Sequence, residues 1–142
     1  MKKTLLSLLT ASLLFSTTAT VLSANQTEKP SKPFLIQGKL PHLTMMVKIL
    51  WDDTDLALTK KQKTELLKIR KHTIGTAKKL NLKIIELENR VVTSTNQGAK
   101  PASLKTLVDQ IAKLRAEATM VHLECIYKTR ALLSKEQLYV LE

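Results

Sequence analysis

Two long series of largely apolar residues, separated by one short polar turn, constrain this chain more than any other feature. Leu66, Ile69, Thr73, Ala77, Leu80, Ile84, Leu87 and Val91 recur at three- and four-residue spacing. So do Leu104, Leu107, Ile111, Leu114, Ala118, Val121, Cys125 and Leu132. That spacing puts each series on one face of an α-helix. The first helix is predicted from Thr59 to about Val92, the second over about 101–132. The segment from Ser94 to Lys100 is the turn, and Pro101 suits the first helical position of the second helix. Each helix would run about 50 Å at roughly 1.5 Å per residue. The short turn implies a long antiparallel helical hairpin. Two thin helices cannot bury both apolar faces alone. Short flanking helices and a second copy of the chain are therefore expected to cover them, giving a homodimer. The fold class is all-α, and no strand-like alternation competes with that reading.

The start of the chain reads as an export signal. Lys2 and Lys3 precede an apolar run from Thr4 to Phe15, and a small, polar stretch follows. Residues 1–24 are assigned as a signal peptide, cut after Ser23 or after Ala24. The apolar run is short for a membrane span. The mature protein is expected in a periplasm. Residues 25–39 hold two prolines and Gly38 and read as a flexible leader. The helical domain spans 40–142. Its first helix is predicted from Leu40 to Trp51, with Pro41 in the first turn. Asp52 to Leu58 forms a loop, and a last short helix follows Ser134.

Composition closes off several function classes. One cysteine excludes a disulfide framework within the chain and a cysteine-based zinc finger. Three glycines, none in a phosphate-cradling arrangement, exclude a nucleotide loop. Asp52, Asp53 and Asp55 lack the glycine and closing glutamate of a calcium loop. No enzyme chemistry is expected. The net charge of +11 invites a nucleic-acid reading, but export and the scarcity of aromatics for base stacking argue against it. A membrane surface is a weak alternative.

One short pattern occurs twice. Leu58-Thr59-Lys60-Lys61-Gln62 and Leu133-Ser134-Lys135-Glu136-Gln137 both place a hydroxyl residue three positions before a glutamine, just after a leucine. Each is a capping box: the hydroxyl accepts from a first-turn N–H, and the glutamine reaches back to the cap's own N–H. Leu133 and Leu138 also fit a hydrophobic staple. In the first copy the staple position is Lys63, so that device is missing or uses the lysine stem. The paired motif, the signal peptide, the short first helix and the basic charge resemble the Spy/CpxP family of periplasmic stress proteins, cradle-like helical dimers whose hallmark is a twice-occurring L-T-x-x-Q. The first copy matches fully, and the second has Ser134 for threonine. The resemblance covers about 40–142. It implies an ATP-independent chaperone or envelope-stress adaptor that binds unfolded envelope proteins. It also implies two alternatives: a heavy-metal-binding sensor or resistance protein, and an inhibitor of a membrane sensor kinase.

The residues themselves offer two candidate sites. A second stripe on the first long helix reads Leu67, Lys71, Ile74, Lys78, Leu82, Ile85, Asn89 and Val92. Alternating cations and apolar groups suit a client-binding surface, although the same apolar residues could complete a core or a dimer contact. No metal cofactor is assigned. The candidate ligands for a transition metal are His42 and Met46, four apart, and His122 and Cys125, near Met120 and Glu124. Gly75, inside the first long helix, either permits a bend or is merely tolerated.

Overall fold

A computed structural model describes residues 32–36 and 38–141 of the chain. The assigned signal peptide and residues 25–31 of the leader lie outside the described residues. The described chain is all-helical: α1 Leu43–Ile49, α2 Lys60–Asn96, α3 Pro101–Leu132 and α4 Lys135–Leu141.

The two long helices keep the predicted faces. Leu66, Leu80 and Ile84 of α2 are buried, as are Ala118 and Cys125 of α3. The other residues of both series are half-buried. The packing of α2 on α3 is the main tertiary contact. Gln62 bonds the Leu132 carbonyl, and Glu88 pairs with Arg115, so the sequence separation falls from 70 to 27 residues toward the turn.

Three boundaries differ from the sequence reading. The first helix starts at Leu43, not Leu40, with His42 as an N-cap that makes no side-chain capping bond. Pro41 therefore lies outside the helix, and its carbonyl serves a tertiary contact described below. The helix also ends early: the Leu50 N–H closes onto the Met46 carbonyl at 3.2 Å. Conversely, α2 runs on to Asn96, past the expected end at Val92. There the Thr95 hydroxyl turns back to donate to the Val91 carbonyl at 2.8 Å, an arrangement available within a helix. Gly98 then takes a positive φ of 78° in the turn.

Among the described residues a compact core forms at one end. Val47, Leu56, Leu66, Leu133 and Leu141 bury one another there, with Trp51 and Leu138 packed against them. Leu56 comes from the loop and is fully buried. Asp53 shapes that loop by accepting from the Asp55 and Leu56 N–H groups at 2.9 and 3.1 Å. Between Ile84 and Ala118 no residue is buried. Among the described residues, α2 and α3 cover each other over that stretch, with Lys32 of the preceding segment added at Arg115.

Gly75 lies within continuous helix, and a Cβ added there would meet nothing within 4 Å. Gly75→Ala is therefore expected to stabilise the protein by roughly 0.5–1 kcal/mol, through lower backbone entropy in the unfolded chain. A urea unfolding curve with an unchanged slope measures it. A loss of stability would instead mean that the helix needs glycine at this point.

Candidate functional site

The two capping boxes meet. In the first, the Gln62 N–H donates to the Thr59 hydroxyl at 3.1 Å and the Thr59 N–H to Gln62 Oε1 at 3.0 Å. In the second, the Gln137 N–H donates to the Ser134 hydroxyl at 3.2 Å and the Ser134 N–H to Gln137 Oε1 at 3.0 Å. The two side-chain amides then pair with each other. Gln62 Nε2 donates to Gln137 Oε1 at 2.7 Å, and Gln137 Nε2 to Gln62 Oε1 at 3.2 Å. Each spare N–H crosses to the other motif's neighbourhood: Gln62 to the Leu132 carbonyl at 2.8 Å, Gln137 to the Leu56 carbonyl at 2.9 Å. Together these bonds use the donors and acceptors of both amides. Leu133 and Leu138 pack in the core beneath, as does Leu58. Lys63, at the staple position of the first copy, instead pairs with Asp52 at 2.7 Å and lies 5.6 Å over the Trp51 ring. The motif is thus a clasp that ties the starts of α2 and α4 to each other and to the end of α3.

The stripe on α2 is open to solvent. Leu67, Ile74, Leu82, Ile85 and Val92 are all exposed, between 37% and 59%. Lys71 and Lys78 are exposed beside them. At about 100° per residue these apolar positions fall within roughly an 80° arc, about 120° round the helix from Leu66, Leu80 and Ile84. The packing of α2 on α3 leaves this face uncovered in a single chain.

Three of the four metal candidates come together and one does not. His42, His122 and Cys125 line one cavity of about 410 Å³ beside α1, together with Phe34 and Met45. Met46 does not join them: it packs against the core cluster, because the face of α1 that carries Val47 also carries Met46 inward. Met120 and Glu124 are exposed, and Glu124 pairs with Lys128 at 2.7 Å. Among the described residues no group of three or more His, Cys, Asp or Glu side chains could hold an ion.

His122 has a distinctive setting. It is buried between two rings: His42 stacks on it at 4.8 Å, and Phe34 lies 4.9 Å away. Its Nδ1 is buried with no hydrogen-bond partner. Burial chiefly, then the nearby charges of His42 and Lys32, push its pKa below the ordinary histidine value, against a hydrogen bond to the Pro41 carbonyl that acts the other way. Phe34 belongs to the segment read as a flexible leader. Of that segment, residues 32–36 lie against α3: the Leu35 N–H donates to the Thr119 hydroxyl at 2.9 Å, and Arg115 donates to the Lys32 carbonyl at 3.0 Å. The composition that suggested a leader, rich in proline and polar groups, does not show that Phe34 has a ring partner in α3.

No helix among the described residues is long and apolar enough to cross a membrane. The chain matches no family model, no curated protein and no solved structure.

Proposed function

We propose that the protein is an exported, ATP-independent chaperone or stress adaptor of the Spy/CpxP type. In this reading α2 and α3 form an antiparallel hairpin, and two copies make a curved cradle in the periplasm. The observation that carries the reading is the uncovered stripe of α2, where Leu67, Ile74, Leu82, Ile85 and Val92 alternate with Lys71 and Lys78. Cations spread along a rod draw in acidic chains over a range set by ionic strength. Exposed aliphatic groups then hold apolar segments of such a chain weakly. A folding client buries those segments itself and leaves, so no nucleotide is needed. The stretch without a buried residue between Ile84 and Ala118 supports a second copy as cover for the distal half.

Aggregation of a denatured acidic protein, followed by light scattering, tests the proposal. The protein is expected to suppress aggregation at low salt and to suppress it less as salt rises. Leu82→Glu with Ile85→Glu is expected to reduce suppression about fivefold or more. Both side chains are exposed, so the unfolding midpoint should hardly move. No suppression at stoichiometric excess in low salt would remove the chaperone reading.

A further inference from the structure

A groove of about 390 Å³ lies between α1 and α2. Its walls are apolar: Val47 and Trp51 on the α1 side, Leu66 and Leu67 on the α2 side. Lys48 and Arg70 stand at its edges. Among the described residues neither cation is in an ion pair. No carboxylate lines the groove, and the acidic residues next to its lining in sequence, Asp52 and Glu65, are already paired with Lys63 and Lys68.

We infer that this groove is an anchoring site for an acidic, apolar segment of an unfolded polypeptide: a large aliphatic or aromatic side chain enters between Trp51 and Leu67, and flanking carboxylates pair with Lys48 and Arg70. The inference takes its class of occupant from the chaperone reading and deepens it. Charge complementarity selects the partner, because two unpaired cations beside apolar walls leave only an anionic amphipath well matched. Continuity selects a polypeptide over a fatty acid. Leu67 is both a wall of the groove and the first residue of the exposed stripe, so an extended chain can lie along α2 with one side chain anchored. A volume of this size takes one large side chain and part of its neighbour, which gives sequence preference to an otherwise permissive surface.

Trp51 is the only tryptophan of the chain and lines the groove, so its emission reports occupancy. The probes are the short peptide Ac-Glu-Leu-Phe-Glu-Leu-NH2, its counterpart with lysine for glutamate, and laurate. The acidic peptide is expected to shift Trp51 emission and to bind about tenfold tighter than the lysine peptide. Lys48→Gln with Arg70→Gln should bring that preference to about twofold or less. Lys83→Gln with Arg90→Gln, an equal charge change farther along α2, should leave it in place. Equal binding of the two peptides, an equal loss in both double variants, or tighter binding of laurate would overturn the inference. Aggregation suppression measured in parallel separates the two claims. Suppression without any Trp51 response to the acidic peptide removes the groove alone. A Trp51 response without suppression removes the chaperone reading and keeps the groove.

Discussion

Replacing Gln62 by glutamate is expected to destabilise the protein by roughly 2–4 kcal/mol, although a lone capping box accepts either residue. The reason lies in how the amide is shared. Gln62 Oε1 serves the cap, accepting from the Thr59 N–H, and a carboxylate keeps that function. Gln62 Nε2 serves the clasp, donating to the Leu132 carbonyl and to Gln137 Oε1. A carboxylate has no donor and would set an oxygen against both acceptors. Two partly buried hydrogen bonds are lost, each about 1 kcal/mol, and repulsion is added. Gln137 cannot rescue the site by turning its amide over. Its Oε1 would then leave the Ser134 N–H, and its Nε2 would leave the Leu56 carbonyl.

The same variant carries a pH signature. A glutamate at position 62 facing two carbonyl-type oxygens has its pKa raised in the folded state relative to the unfolded chain. It therefore destabilises most when ionised, and protonation returns one donor. The deficit against the parent protein should shrink as pH falls through the glutamate range. Urea unfolding of Gln62→Glu, Gln62→Ala, Gln137→Ala and the double alanine variant reads all of this. A coupling of about 1–2 kcal/mol in the alanine cycle is expected for two side chains in direct contact. Additive effects, with Gln62→Glu as stable as the parent, would mean two independent caps and no clasp.

That contrast marks what a linear reading can see. A capping box is local: the hydroxyl and the glutamine lie three residues apart, and both copies are plain in the sequence. Their pairing joins residues 75 apart, and no local window holds it. The two helical faces were equally legible, because apolar spacing follows from the turn of the helix alone. The ends of α1 and α2 were less so. Pro41 was assigned to a first turn on propensity, but its carbonyl is taken by His122 of α3. The Ser/Thr run after Val92 reads as a turn on composition, yet Thr95 bonds back into its own helix. Of the candidate site, periodicity puts the stripe residues on one face of α2 but does not say whether that face stays open, since the same spacing fits a core or a dimer contact. The position of Arg70 and Lys48 at one groove does not follow from periodicity, because it depends on where α1 lies across α2.

Acid is expected to loosen one end of the molecule through His122, and the sign follows from its surroundings. Lys32 from the preceding segment, His42 from the N-cap of α1 and Arg70 from α2 line its cavity, with Cys125 from its own helix. No carboxylate lines this cavity, and Lys32 and Arg70 are cations. A proton on His122 thus arrives in a buried place, against a stacked second imidazole and the Lys32 charge, with the Pro41 hydrogen bond in its favour. The folded pKa is depressed, so the unfolded chain binds the proton first as pH falls. The contribution of the neutral ring is complete above the ordinary histidine value, about 6.5, and drains away below it as pH falls toward the folded pKa. Unfolding free energy measured from about pH 7.5 to about pH 5 should therefore fall, and fall less steeply in His122→Phe, which keeps a ring between Phe34 and His42 but takes no proton. His122→Ala, by contrast, should cost about 2 kcal/mol near neutral pH, since it empties a buried site, and less toward pH 5, where the parent protein loses the contribution of its own ring. The loosening should begin where residues 32–36 lie on α3. The Leu35 amide, held by Thr119, should lose protection against hydrogen exchange at the acid end in the parent protein, measured against the intrinsic rate at each pH, with a smaller change in His122→Phe. Parallel pH slopes in the two proteins, with Leu35 equally protected throughout, would show that the ring stack is no proton-sensitive joint.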